Sequence, residues 1–216
     1  INIIQLVTYS SWPDDKVMDA YRGYYEKAVH NFFVSKNNLT LLANKLAIPL
    51  SNASVTRNPY KVKGDLIPFP SVQNGYHLGC PANLYPAHKG QNVLIEIFAQ
   101  QKWKERNISL NLYGKGSNEK TLKKLKELLG TKKVHFYGHV NDIEAIWAKN
   151  HALILASRHE GLPLVLVEAM LCGRTAIVTN VGGTAEILNN MVTGFIAKAS
   201  TSECLDESME LAWEIN

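Results

Sequence analysis

Two acids, Glu160 and Glu168, bracket the seven residues GLPLVLV, which hold no charge and no polar side chain. Glu168 stands among Leu164, Val165, Val167 and Leu171, where an unpaired carboxylate is costly to bury. Two readings are open. In the plain one, a core helix carries a solvated acid at each end. In the other, Pro163 opens a helix, since its missing N–H had no intrahelical partner in any case. The helix start then aims unpaired N–H groups, from about Gly161 to Val165, and a positive dipole end at an anion. Gly161 lets a ligand approach the backbone closely, with Leu162 and Pro163 completing the turn. Glu160 would lie in the loop outside this helix, and Glu168 about five residues inside it, roughly 7–8 Å along the axis. A diphosphate held at that start has a group on either side. In a nucleotide diphosphate sugar those groups are the ribose and the sugar, whose vicinal hydroxyls a carboxylate accepts well.

Other residues could share that chemistry. Lys89, followed by Gly90, comes after a predicted strand and can meet a diphosphate as a mobile point charge, or can be a solvated loop lysine. Gly114 and Gly116 in LYGKGS follow another strand. They fail as a dinucleotide fingerprint because Glu119 occupies the third glycine position, leaving a turn that admits a base or phosphate. Gly182 and Gly183 in VGGTAEI lead into a short helix and are expected to line the same crevice. His159 is read as a packing or hydrogen-bonding residue. The histidines and cysteines show no metal-site spacing, so no metal is expected.

The elements that must position these residues follow a regular alternation from Tyr76 onward. YHLGCPANL, ISLNLYG, VHFYGHV, ALILA, RTAIVTN and TGFIAK read as strands. NVLIEIFAQQKW, NEKTLKKLKELLG, DIEAIWAKN, PLVLVEAMLCG, GGTAEILNN and SECLDESMELAWEI read as helices. Such alternation predicts right-handed βαβ crossovers and an α/β, Rossmann-like doubly wound parallel sheet buried on both faces. Ligands bind beyond the carboxyl ends of such strands, where all the candidates fall. Upstream, residues 1–12 read as a strand without a neighbour. Asp14–Asp15 opens a helix whose Val17, Tyr21, Tyr24 and Ala28 share a face. FFVSKNN begins a strand and a second helix, and residues 48–70, with four prolines, read as a linker. The expected division is 1–67, a partial N-terminal domain with its linker, and 68–216.

A net charge of +4 in 216 residues demands no nucleic acid. Three cysteines at unrelated spacings fit free thiols in a reducing compartment. No run reaches the ~18–20 apolar residues of a membrane span. The expectation is a cytoplasmic protein, with the lysine-rich stretch 120–133 a solvated face that permits peripheral contact with an anionic inner membrane face.

In order, PAHKGQNVLIEIFAQ, LNLYGKG, VHFYGHVNDI, ILASRHEGLPLVLVEAMLCGR and TNVGGTAEILNNMVTGFIA resemble the retaining glycosyltransferases of family 4. The resemblance covers residues 72–200, with the E-x7-E pair its most telling element. It implies the C-terminal, donor-binding domain of a GT-B fold, preceded by the tail of an acceptor-binding domain that is otherwise missing. It implies transfer of a sugar, with retention, from a nucleotide diphosphate to a glycan or lipid-linked acceptor, as in polysaccharide biosynthesis, without metal or cofactor. Lys89 would contact the diphosphate, Glu160 the transferred sugar beside the Gly161 and Leu162 amides, and Glu168 the ribose. Backbone near His139 and Val140 would receive the base, and Gly183 to Glu186 would close the pocket. Many members carry an arginine six residues before the lysine, where this chain has Asn83. The isolated chain is expected to bind nucleotide but turn over poorly. A non-catalytic sugar-nucleotide-binding module and a GT-B-like epimerase are the alternatives.

Overall fold

The computed structural model of the protein describes residues 1–4, 7 and 12–215. Contacts group them into two units. The first comprises residues 1–59, 159–163 and 181–187, and the second 60–158, 164–180 and 188–216. The change of unit thus falls at Pro59–Tyr60, inside the stretch read as a linker, and two later segments join the first unit.

In the first unit, strands β1 (Asn2–Ile4), β2 (Asn31–Phe33) and β3 (Ala53–Val55) form a parallel sheet in that order. Two expectations are corrected here. The first strand does have a neighbour, β2, although its expected continuation through residues 5–6 and 8–11 lies outside the described residues. Residues 53–55 are a strand and not linker. Asn52 explains why: its Nδ2 donates to the Tyr25 and Ala28 carbonyls, and its Oδ1 accepts from the fully buried Asn31. That knot fixes the chain where it enters the sheet. Helix α1 (Asp15–Lys27) is capped by Asp14, which accepts from Val17 N–H, and α2 (Lys36–Leu46) by Ser35, which accepts from Asn38 N–H. The stripe assigned to α1 is also corrected. Val17, Tyr21 and Tyr24 are exposed, and Met18 packs with Ile4, Phe33, Leu42, Leu46 and Leu50.

The second unit holds a six-stranded parallel sheet: β4 (Tyr76–Pro81), β5 (Ile108–Tyr113), β6 (Val134–Gly138), β7 (Ala152–Leu155), β8 (Thr175–Thr179) and β9 (Phe195–Ala197). Its spatial order is β6-β5-β4-β7-β8-β9. The chain winds outward from β4 to β6, then returns to the other side of β4 as β7. The gap between the ends of β4 and β7 is therefore the topological switch point of a Rossmann-like sheet. Helices α3 (Pro86–Lys89), α4 (Gln91–Phe98), α5 (Gln101–Glu105), α6 (Glu119–Leu128), α7 (Ile143–Trp147), α8 (Leu164–Leu171) and α9 (Ser202–Glu214) complete it. What read as one helix over 92–103 breaks into α4 and α5, and Lys89 is the last residue of the short α3 and not a loop residue.

Burial follows the sheet. All four residues of β7 are buried, as are Leu110 and Leu112 of β5. Arg174, only 2% exposed, anchors the entering chain. Its guanidinium donates to the carbonyls of Ile67, Pro68, Trp147, Asn150 and Cys172 and lies over the Phe69 ring. On one point the sheet departs from expectation. The strands β5 and β6 alternate apolar and polar, so one face of this part of the sheet is not an apolar core. Among the described residues no helix is long and apolar enough to cross a membrane.

Candidate functional site

The loops after β4 and β7 meet at the switch point. Gly90 adopts φ +63°, and a Cβ there would stand 2.0 Å from the Ala156 carbonyl oxygen. Only glycine lets the Lys89–Gly90 turn press this closely on the end of β7. The contact is reinforced by Arg158, whose N–H donates to the His88 carbonyl at 2.7 Å and whose guanidinium reaches Pro86 O and Asn92 Oδ1. Lys89 is thereby fixed beside the strand end from which the Glu160 loop departs. Arg158 was not singled out from sequence, although a cation three residues past a strand end was a usable signal.

The loop after β5 packs on the same neighbourhood. Gly114 has φ +134°, and a Cβ there would meet Ala82 O at 2.1 Å; one on Gly116 would meet Leu84 O at 2.3 Å. The Leu84 N–H donates to Lys115 O at 3.0 Å. The space that these glycines leave open is therefore filled by the neighbouring loop, which places the exposed Asn83 alongside Gly114. Asn83 O accepts from the buried Gln91 Nε2 at 2.7 Å. His139 and Val140 follow the end of β6, with His139 exposed and its Nε2 2.8 Å from Asn141 Oδ1.

Helix α8 starts at Leu164, directly after Pro163, and Glu168 is its fifth residue. It is 5% exposed, and its Oε1 accepts from the Lys61 N–H at 3.2 Å. Burial pushes its pKa up, opposed by that N–H and by the Lys61 charge. The apolar run thus does carry a desolvated acid, and its partner is a backbone group from the entering chain, which sequence spacing had no means of revealing. Leu164 and Val165 of the first turn are half-buried.

Glu160, Gly161, Leu162 and Pro163 belong by their contacts to the first unit. Glu160 is half-buried and the other three are buried. The glycine pair packs on them. Gly182, at φ +55°, would place a Cβ 2.2 Å from Glu160 O, and Gly183 N–H donates to Gly161 O at 2.7 Å. Glu186 lies in the same unit. Its two oxygens accept from the Asn37 N–H and from Arg57 Nη2, each at 2.9 Å. Burial raises its pKa, but the Asn37 and Lys36 N–H groups and Arg57 outweigh burial and hold it below the usual range. An acid accepting from the first N–H groups of α2 complements the helix dipole. Glu186 therefore locks the 181–187 segment to α2, a positioning task that the sequence reading did not assign to it.

An apolar cavity of about 480 Å³, lined by Tyr76, Ile108, Ala152, Thr175 and Phe195, lies at the amino ends of the strands. It is at the wrong end of the sheet for this chemistry. Among the described residues no three His, Cys, Asp or Glu side chains gather as a metal site.

The family profile "Glycosyl transferases group 1" matches residues 77–215. The chain belongs to that glycosyltransferase family. It is 33% identical over 132 residues to the putative glycosyltransferase EpsD of Bacillus subtilis, covering 59% of this chain and 35% of that protein. It is 28% identical over 127 residues to the N,N'-diacetylbacillosaminyl-diphospho-undecaprenol alpha-1,3-N-acetylgalactosaminyltransferase of Campylobacter jejuni, covering 59% and 33%. The chain thus spans about a third of the length of these relatives. In fold it is similar to HepE of Anabaena, solved with UDP: TM-score 0.80, 21% identity, over 99% of this chain and 62% of that one. It is likewise similar to TarM of S. aureus: TM-score 0.81, 17% identity, over 99% and 43%. The α/β architecture with parallel sheets is that of GT-B glycosyltransferases.

Proposed function

We propose that this chain is the donor-binding part of a retaining glycosyltransferase of family 4, moving a sugar from a nucleotide diphosphate to a glycan or lipid-linked acceptor. The observation that carries the reading is the switch point. The α3 turn with Lys89 is pinned onto the strand end that leads into Glu160, while Glu168 is buried in α8 with the Lys61 N–H as its partner. In this reading the ribose hydroxyls bond to Glu168, and those of the transferred sugar to Glu160. Lys89 and the start of α8 stabilise the charge that grows on the departing diphosphate. In the same reading the Gly161, Leu162 and Pro163 turn contacts the donor, and Asn83 and Gly114 contribute to donor binding. Backbone at His139 and Val140 receives the base, and Gly183 supports the Glu160 loop.

Uridine is the base favoured here, because HepE and TarM were both solved with UDP. Two assays on the full-length protein test the proposal. Thermal shift with UDP, GDP and ADP should show one clear stabiliser, since a ligand at a hundred times its Kd adds about 2.7 kcal/mol. Nucleotide release from the matching sugar donor should then depend on Glu160 and vanish in Glu160→Ala. Tight nucleotide binding with no turnover of any donor would refute transferase activity, and conversion of sugar without nucleotide release would refute transfer itself.

A further inference from the structure

Parallel strands covered on both faces read as near-continuous apolar runs. Here β4, β5 and β6 alternate instead. His77 pairs in register with Ser109, and Asn111 with His135. With Tyr113 and Tyr137 two residues further on, these side chains share one face of the sheet. They line a recess of about 180 Å³, with Lys149 on its rim. That is space for about six waters at ~30 Å³ each.

The recess is built of neutral donors and acceptors. His77 Nδ1 lies 2.6 Å from Ser109 Oγ. Asn111 Nδ2 donates to Asn150 Oδ1 at 2.9 Å, and Asn150 Nδ2 donates to the Tyr113 hydroxyl at 2.9 Å. That hydroxyl keeps its own proton to give. Asn111 is 4% exposed, and its Oδ1 has no partner among the described residues. A buried acceptor without a donor is expensive, and Asn111 lines the recess, whose outer wall is two exposed rings on an edge strand. Rotation of an exposed side chain such as His135 is fast, so that ring can turn aside to admit a hydroxyl while Tyr137 stays stacked. Burial lowers the pKa of both His77 and His135, with Lys126 and His77 adding to the effect at His135. Burial thus favours the neutral form of both rings, which leaves Lys149 as the charged group in the lining. The Tyr137 ring, 54% exposed, stacks on Tyr113 at 5.0 Å with an interplanar angle of 17°. This braces a flat apolar platform beside the polar groups.

We infer that this recess binds one ring of a neutral glycan, with the ring's apolar face on Tyr137 and its hydroxyls on Ser109, Asn111 and the two histidines. The recess lies on a face of the sheet and reaches, at Tyr113 and Tyr137, the strand ends that lead to Gly114 and His139; none of its lining residues is one assigned to the donor. It would hold a part of a glycan remote from the reacting end.

The test is saturation-transfer NMR and calorimetry on the full-length protein. The probes are neutral α- and β-linked disaccharides, with inorganic phosphate as the anionic control and saturating UDP present. At least one disaccharide should bind with UDP in place, and Tyr137→Ala should weaken it about tenfold while the protein stays folded at the assay temperature and still binds UDP. His135→Ala, also at the exposed edge, should weaken it in the same direction. No saccharide binding, binding abolished by UDP, equal binding by Tyr137→Ala, or phosphate displacing the sugar would each overturn the inference.

Discussion

Glu168→Gln separates a structural acid from a ligand-binding one. The side chain sits in α8 at 5% exposure with one backbone donor, Lys61 N–H, and glutamine keeps an oxygen to accept that bond. Because burial raises the Glu168 pKa, the folded state holds its proton more tightly than the unfolded one. Whatever stability this gives is complete below the unfolded value and lost as pH rises through the folded value. At pH 7 the ionised acid is therefore a cost, and Glu168→Gln should melt higher than the parent, by a margin that shrinks as pH falls towards the unfolded value. Nucleotide binding should move the opposite way. Replacing a charge-assisted bond from a ribose hydroxyl by a neutral one costs about 1–1.5 kcal/mol, so UDP affinity should fall by about 5- to 13-fold. Melting curves from pH 4 to 8 and calorimetric titration with UDP and with 2′,3′-dideoxy-UDP read both effects. A variant that melts lower at pH 7 refutes the burial argument, and one that binds UDP as tightly as the parent refutes the ribose role. The parent should also lose affinity for the dideoxy compound while the variant loses little.

Other outcomes follow from single contacts. Arg174→Met removes the donor of five carbonyls in a buried place and should cost at least about 3 kcal/mol, seen as a fall in melting temperature of about 6–12 °C. Arg174→Lys should not restore it, since an ammonium cannot span that fork of acceptors. Gly90→Ala, forced into a left-handed conformation against Ala156 O, should cost more than about 2 kcal/mol and weaken diphosphate binding with it. Lys89→Ala should weaken UDP more than uridine, read by calorimetric titration of both ligands. Glu186 contributes stability above the unfolded carboxylate pKa, and this is lost as pH falls through its lowered folded value. Glu186→Gln should therefore flatten acid unfolding in that window.

Local signals in the chain were enough for the element order of the second unit. Alternation of apolar runs with capped or proline-led helices is written in neighbouring residues, so β4 to β9 and the start of α8 were legible. The acid pair and the glycines were also visible as chemistry. Their partners were not. Gly114 and Gly116 serve to bring two loops together, Glu186 is held by Asn37 and Arg57, and Glu168 is met by Lys61. Each of these contacts joins residues far apart in the chain, where no local period relates them. The strand at 53–55 was missed for the same reason: its short segment is specified by Asn31 and Asn52 closing a polar knot, not by its own composition. The alternation in β5 and β6 was present in the sequence from the outset. That its polar side faces a recess and not a covering helix was decided by which strands became neighbours, because a sheet face is assembled across chain segments and no single strand determines what lies over it.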